Sequence, residues 1–82
     1  MKHKYVRFED YGFILWPMTD KLWHKSVGQF AGSWLHAKVI SAGFVQFKNG
    51  DLICYGESES LNIKSKAEDS ELLRKQLGFT KE

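Results

Sequence analysis

The sequence is short of cysteine and proline, with a single residue of each among 82. One cysteine can form neither an internal disulfide nor a zinc site built from several thiolates, and its scarcity favours a reducing compartment. Long hydrophobic runs are missing too, because the apolar run 13–16 is too short for a signal peptide or a membrane span. We therefore expect a cytoplasmic protein.

The chain also has no large excess of either charge, since twelve Lys and Arg nearly balance ten Asp and Glu and leave a net charge of +2. A charge this mild gives no strong indication of nucleic-acid binding. By contrast, 43% of the residues are hydrophobic and 15% are aromatic, which excludes a disordered chain. A chain this short forms one domain, residues 1–82, whose core is too thin to enclose every ring. We expect some rings to lie in a pocket or a subunit contact, and hence a homo-oligomer.

The motifs of common catalytic sites are missing as well. The glycines form neither a dinucleotide-binding nor a Walker pattern. Residues 56–60, Gly-Glu-Ser-Glu-Ser, resemble a nucleophile elbow but lack its closing glycine. Glu57 and Glu59 would point the same way in an extended chain, and a solvated strand end explains them better than an ion site does.

The thiol and the imidazoles give no better case for chemistry. Cys54 lies within an apolar strand pattern, where burial raises the pKa of a thiol and makes it inert. His24 and His36 have no third ligand at a zinc-binding spacing. We expect no catalytic residue, metal or cofactor, and an enzyme would need an active site assembled between subunits.

The N-terminal half predicts a hairpin and then a helix. Residues 3–9 alternate like a strand, Val6 and Phe8 facing one way and Tyr5 and Arg7 the other, and residues 12–17 form a second strand. After Pro17, Thr19 or Asp20 can cap a helix that ends near Phe30 or Ala31, because Gly32 favours a loop. The apolar stripe of this helix comprises Trp23, Val27, Phe30, Ala31 and Trp34.

Asn49-Gly50 joins two apolar runs and is typical of a two-residue hairpin turn. The turn sets a register that pairs Lys48 with Asp51, Phe47 with Leu52, Val45 with Cys54 and Phe44 with Tyr55. Both faces of this hairpin carry rings, so both need cover from a helix or from another copy of the chain. Gly43 and Gly56 fall opposite each other, which predicts a bulge, a twist or a close approach of backbones.

The C-terminal segment predicts a second helix. Ser65 and Glu68 match a capping box, and Leu72, Leu73 and Leu77 form an apolar stripe. Gly78 suits the C′ position, with Phe79 folding back on Leu73. The resulting fold class is α+β: a curved antiparallel sheet of four to five strands, a short helix after Pro17, and a C-terminal helix packed on the sheet.

The segments SAGFVQF, CYGESESLNIKS and EDSELLRKQLG lie within residues 41–78. In these segments the chain resembles small uncharacterised proteins of tailed bacteriophages and prophages. That resemblance implies a role in an infected bacterial cytoplasm, where very small phage proteins commonly act by binding. Such a protein would counter host defence, either by sequestering a nucleotide signal or by blocking a defence protein.

Two sets of residues are candidates for binding. The ligand-binding candidates are Arg7, Trp34, Lys38, Tyr55, Ser58 and Ser60. The interface candidates are Trp23, Phe30, Phe44 and Tyr55. The alternative function is an accessory protein for single-stranded nucleic acid, in which Lys2, Lys4 and Arg7 contact phosphates beside the rings of Tyr5 and Phe8.

Overall fold

The computed structural model describes residues 2–18 and 21–78. Four strands form an antiparallel sheet in the order β2-β1-β3-β4, and two very short strands, β5 and β6, pair beside it. The expected α+β class, with a C-terminal helix packed on the sheet, is confirmed. In chain order the elements are β1 (Lys2–Phe8), β2 (Gly12–Pro17), α1 (His24–Leu35), β3 (Val39–Lys48), β4 (Asp51–Tyr55), β5 (Glu57–Ser58), β6 (Ile63–Lys64) and α2 (Asp69–Leu77).

Each face of the sheet is covered by one helix of the same chain. The alternation in β1 places Tyr5 in the cluster that packs against α2, and Val6 and Phe8 in the cluster that packs against α1. The α2 side also contains Phe13, Val45, Leu52 and Leu73, and the α1 side Trp16 and Ala42. Two thin cores therefore share one sheet, and the cover that both faces need comes from within the chain.

The central hairpin forms as the sequence predicts. Asn49 and Gly50 have φ values of 53° and 73°, and all four predicted cross-strand pairs are present. Beyond the last pair, a Cβ added to Gly43 would lie 2.5 Å from the Tyr55 carbonyl oxygen, and Gly56 adopts a φ of 77°. The expected close approach of backbones at these two glycines is confirmed.

The predicted end of α1 is wrong, because the helix continues through Gly32 to Leu35. Both helix glycines face the body of the protein: a Cβ on Gly28 would lie 3.1 Å from Val39, and one on Gly32 would lie 3.0 Å from the Ala37 carbonyl oxygen. Close packing therefore overrides their low helix propensity. Trp23 is the N-cap and makes no side-chain cap bond, whereas Thr19 and Asp20 lie outside the described residues.

The predicted capping box of α2 is also wrong. The helix begins at Asp69, and Glu68 occupies the N-cap position without a side-chain cap bond. Instead, Oδ2 of Asp69 accepts a hydrogen bond of 2.9 Å from the backbone N–H of Lys66. Gly78 ends the helix with a φ of 80°, as expected, while Leu77 is 39% exposed and Phe79 lies outside the described residues.

Asp69 attaches α2 to the middle of the sheet. Its carboxylate is fully buried and accepts hydrogen bonds from the Tyr5 hydroxyl at 2.6 Å, the Arg7 guanidinium at 2.8 Å and the Ser41 hydroxyl at 3.0 Å. Burial alone would raise the pKa of this carboxyl group, but the hydrogen bonds from Lys66, Tyr5, Arg7 and Ser41 outweigh it and lower that pKa. The buried charge is therefore well compensated.

Side chains of α2 also bind the outer strands of the sheet. Gln76 bonds both the N–H and the carbonyl oxygen of Phe13 in β2, at 2.8 and 3.1 Å. On the other edge, the Ser70 hydroxyl accepts from the Cys54 N–H, and Arg74 donates to the Leu52 carbonyl oxygen. These bonds occupy backbone groups that an edge strand would otherwise offer to another chain.

Replacing Asp69 by Asn should lower the free energy of unfolding by about 3 kcal/mol, because it leaves the Arg7 charge without its buried partner. The Arg7 side chain is only 17% exposed, so water compensates it poorly. Urea denaturation followed by tryptophan fluorescence measures the difference. Glu68→Gln is the matched control, since Glu68 also contacts Arg7 but lies at the surface, and it should leave stability almost unchanged. Equal losses in the two variants would contradict the role assigned to Asp69.

Candidate binding surface

Three large rings project from α1 and its N-cap into solvent. Trp23 is 65% exposed, Phe30 is 71% exposed and Trp34 is 77% exposed. Spacings of seven and four residues place them along one side of the helix, and we call these three residues the aromatic stripe. The side that packs on the sheet is formed by other residues, among them Val27, Ala31 and Leu35.

The aromatic stripe lies in a basic part of the sequence. Residues 21–50 contain Lys21, Lys25, Lys38 and Lys48, and no Asp or Glu. Lys21, Lys25 and Lys38 are exposed and lie within or next to α1 in the chain. The small net charge of the whole chain conceals this asymmetry, and a count of charges by segment reveals it.

An open cavity of about 310 Å³ adjoins the N-terminal end of the stripe. We call it the notch. Trp23 belongs both to the notch and to the stripe, so the two features form one continuous surface. The lining residues are Lys4, Trp23, His24, Phe44, Glu57, Glu59 and Ser60.

His24 forms the inner part of the notch. Its Nε2 lies 2.7 Å from the Gly43 carbonyl oxygen, to which it donates as a neutral imidazole. Its ring makes edge-on contacts with Trp16 and Phe44, each with centroids 5.4 Å apart, and Phe44 in turn contacts Tyr55 at 5.9 Å. Phe44 and Tyr55, two of the predicted interface residues, are thus half-buried in this row of rings, unlike Trp23 and Phe30.

The two predicted ligand-binding serines make internal hydrogen bonds. The Ser60 hydroxyl accepts from the Lys25 N–H at the start of α1, and the buried Ser58 hydroxyl accepts from the Leu61 N–H. Ser58 and Ser60 also contact each other at 3.3 Å. The Ser60 bond ties the segment 57–61 to α1, and the Ser58 bond closes the turn within that segment. Glu57 and Glu59, on either side of Ser58, line the notch.

The predicted ligand-binding residues do not converge on one site. Arg7 lies on the α2 side of the sheet, bound to Asp69 and Glu68. Trp34 and the exposed Lys38 belong to the α1 side, and Tyr55 stacks on Phe44 there. Sequence reasoning missed Lys4, His24, Glu57 and Glu59 as neighbours, because only the contacts of Ser60 and Leu61 with α1 bring their segments together.

The rings of Tyr5 and Phe8, which the nucleic-acid alternative requires at the surface, are buried. Tyr5 is 0% exposed and Phe8 is 1% exposed, so both rings belong to the two cores. Arg7 is ion-paired with Asp69. The N-terminal strand therefore presents no stacking platform for bases from these residues.

Cys54 has the properties of a structural cysteine. It packs against the α2-side core, and burial raises the pKa of its thiol to about 11, which the contact with Ser70 only partly offsets. The thiolate needed for nucleophilic chemistry is therefore scarce at neutral pH.

His24 should make stability depend on pH. Burial lowers the pKa of this imidazole below its ordinary value of 6.5. The hydrogen bond to Gly43 opposes this shift, and the positive charge of Lys4 adds to it. A base whose pKa is lowered in the folded state binds protons more readily when the protein is unfolded. The contribution of His24 to the free energy of unfolding is therefore complete above about pH 6.5 and is lost as the pH falls. Urea midpoints measured between pH 8 and pH 5 should decrease, and His24→Gln should flatten that decrease. A slope that the variant leaves intact would contradict this assignment.

No protein-family model, curated protein or solved structure matches this chain. Across residues 2–18 and 21–78, no group of three or more His, Cys, Asp or Glu side chains is placed to hold a metal ion. Neither helix in these ranges has the length and apolar character needed to cross a membrane. Function must therefore be argued from the stripe and the notch themselves.

Proposed function

We propose that this protein is a non-enzymatic binding protein that blocks a partner protein through the aromatic stripe. The resemblance to small phage proteins supplies the proposed setting, in which the partner belongs to the defence of an infected bacterium. The observation that carries the proposal is the exposure of Trp23, Phe30 and Trp34 along one helix that is otherwise well packed.

The size and composition of the stripe suit the centre of a protein interface. Three rings that are two thirds to three quarters exposed present on the order of 300–500 Å². A standard interface buries about 800 Å² on each partner, so the stripe would supply its apolar core and the surrounding lysines part of its rim. Trp is also among the residues that most often dominate binding energy.

The charges favour an acidic partner over a second copy of the chain. Two copies that met stripe to stripe would bring Lys21 and Lys25 of each α1 segment toward like charges, whereas an acidic surface would be attracted at long range. Self-association through Trp23 and Phe30 remains the competing outcome. It is separable by experiment because it requires no other protein.

A nucleotide sponge is less well supported. Arg7, the expected phosphate contact, is held by Asp69 on the opposite side of the sheet from α1. The notch is the cavity that adjoins the stripe, and two of its wall residues are glutamates, which repel phosphate. Among the two modes of counter-defence, blocking a protein is therefore the one we propose.

Truncating the stripe should abolish partner binding. Tagged protein is used to capture a partner from a bacterial lysate, and mass spectrometry identifies that partner. The purified partner is then titrated with the protein, and calorimetry measures the affinity. Phe30→Ala and Trp34→Ala should each weaken binding by about thirtyfold, because each removes about 2 kcal/mol of contact at the centre of the interface. Lys25→Glu should slow association, most strongly at low salt.

Tyr11→Ala is the matched control, since Tyr11 is a 59% exposed ring at the β1–β2 turn, away from α1. It should bind the partner like the unchanged protein. Sedimentation of the free protein is measured in parallel, and a dimer that Phe30→Ala dissociates would indicate self-association instead. Unchanged affinity in the double variant Phe30→Ala, Trp34→Ala would overturn the proposal.

A further inference from the structure

We infer that the notch is a receptor for a guanidinium group, and specifically for an arginine side chain that the partner inserts beside the aromatic stripe. The inference rests on the proposed function, because it takes the arginine from the partner protein. Its physical basis does not involve Phe30 or Trp34, although Trp23 belongs to both features. It lies in the combination of rings and carboxylates around one cavity.

The rings supply flat surfaces for a planar cation. Trp23 is the N-cap of α1 and stands 65% exposed at the rim, and Phe44 and His24 meet edge to face inside. Arginine stacks on aromatic faces, most favourably on Trp, while its aliphatic stem contacts apolar surface. Because burial keeps His24 neutral at ordinary pH, its ring adds no repelling charge.

The carboxylates supply the charge complement. Glu57 and Glu59 lie on either side of the buried Ser58 in the chain, and both line the notch. Paired carboxylate oxygens can accept the parallel N–H donors of a guanidinium, which makes arginine a better fit than a point charge. Lys4 also lines the notch, with its Nζ donating to the Leu22 carbonyl oxygen at 3.0 Å, so two carboxylates and one ammonium group line the cavity. Lys64 lies opposite Glu57 in the β5–β6 pair but does not line the notch.

The cavity is of suitable size and is held in place. A volume of about 310 Å³ lies at the lower end of the range for ligand sites and is sufficient for one long side chain. The Ser60–Lys25 hydrogen bond fixes the glutamate-bearing segment to the start of α1, and the His24–Gly43 bond fixes the inner wall. A preformed site of this kind loses little freedom when it is occupied.

The notch and the stripe together fix the orientation in which the partner binds. An arginine seated in the notch would place the adjoining apolar side chains of the partner over Phe30 and Trp34, and acidic groups of the partner would face Lys21, Lys25 and Lys38. The recognised surface is therefore acidic in general but carries one basic anchor at a defined end.

The probe for the test is N-acetyl-L-arginine N-methylamide, titrated into the free protein while the indole N–H resonance of Trp23 is followed by NMR. Saturable shifts are expected at Trp23 and at the backbone of Glu57 and Glu59. The neutral isostere N-acetyl-L-citrulline N-methylamide should bind at least about tenfold more weakly, because it lacks the charge that the carboxylates recognise.

The double variant Glu57→Gln, Glu59→Gln should weaken arginine binding at least about fivefold, with an otherwise unchanged amide spectrum that shows intact folding. Tyr11→Ala is the control, since Tyr11 is an exposed ring at the β1–β2 turn that belongs to neither the notch nor the stripe, and it should bind the probe normally. Equal binding of the arginine and citrulline probes, or the absence of saturable shifts with arginine, would overturn the inference. If that happens while Phe30→Ala still releases the partner, the notch assignment fails and the proposed function stands.

Discussion

A single buried carboxylate organises one half of this small fold. Asp69 brings together the Tyr5 hydroxyl and the Arg7 guanidinium from β1 and the Ser41 hydroxyl from β3, and it begins α2. A buried charge is tolerated only when nearly all of its hydrogen-bonding capacity is used, so these groups and the helix must assemble together. The position of α2 then decides which sheet groups its other side chains reach, and both edges of the sheet are partly covered as a result.

On the opposite face of the sheet, the position of α1 depends on close steric packing and not on a buried charge. Gly28 and Gly32 allow α1 to pack close to the sheet and to the segment 57–61, because a Cβ at either position would lie only 3.0–3.1 Å from its nearest neighbour. With the helix held this closely by its inner side, the rings on its flank are left uncovered by residues 2–18 and 21–78. The exposure of the aromatic stripe thus follows from the way in which α1 docks, and the exposed rings are not a sign of poor packing.

These two arrangements separate stability from function. Three polar residues that the sequence predicts to bind a ligand instead make contacts within the fold. They are Arg7, Ser58 and Ser60. Within the described ranges, Trp23, Phe30 and Trp34 stay exposed in a basic segment, next to a cavity lined by two glutamates and one lysine. On the other face of the sheet, burial raises the pKa of the Cys54 thiol and disfavours its thiolate.

The sequence by itself determined the elements whose causes are local. The turn at Asn49-Gly50 set the register of β3 and β4, the alternation in β1 assigned its two faces, and Gly78 marked the end of α2, because each depends on the φ preference or the periodicity of a few adjacent residues. Only the tertiary structure decided where α1 ends, how α2 begins and which residues meet in the notch. Those outcomes depend on contacts between segments far apart in the chain, such as Asp69 with Tyr5 and Ser60 with Lys25, whose free energy overrides local propensity.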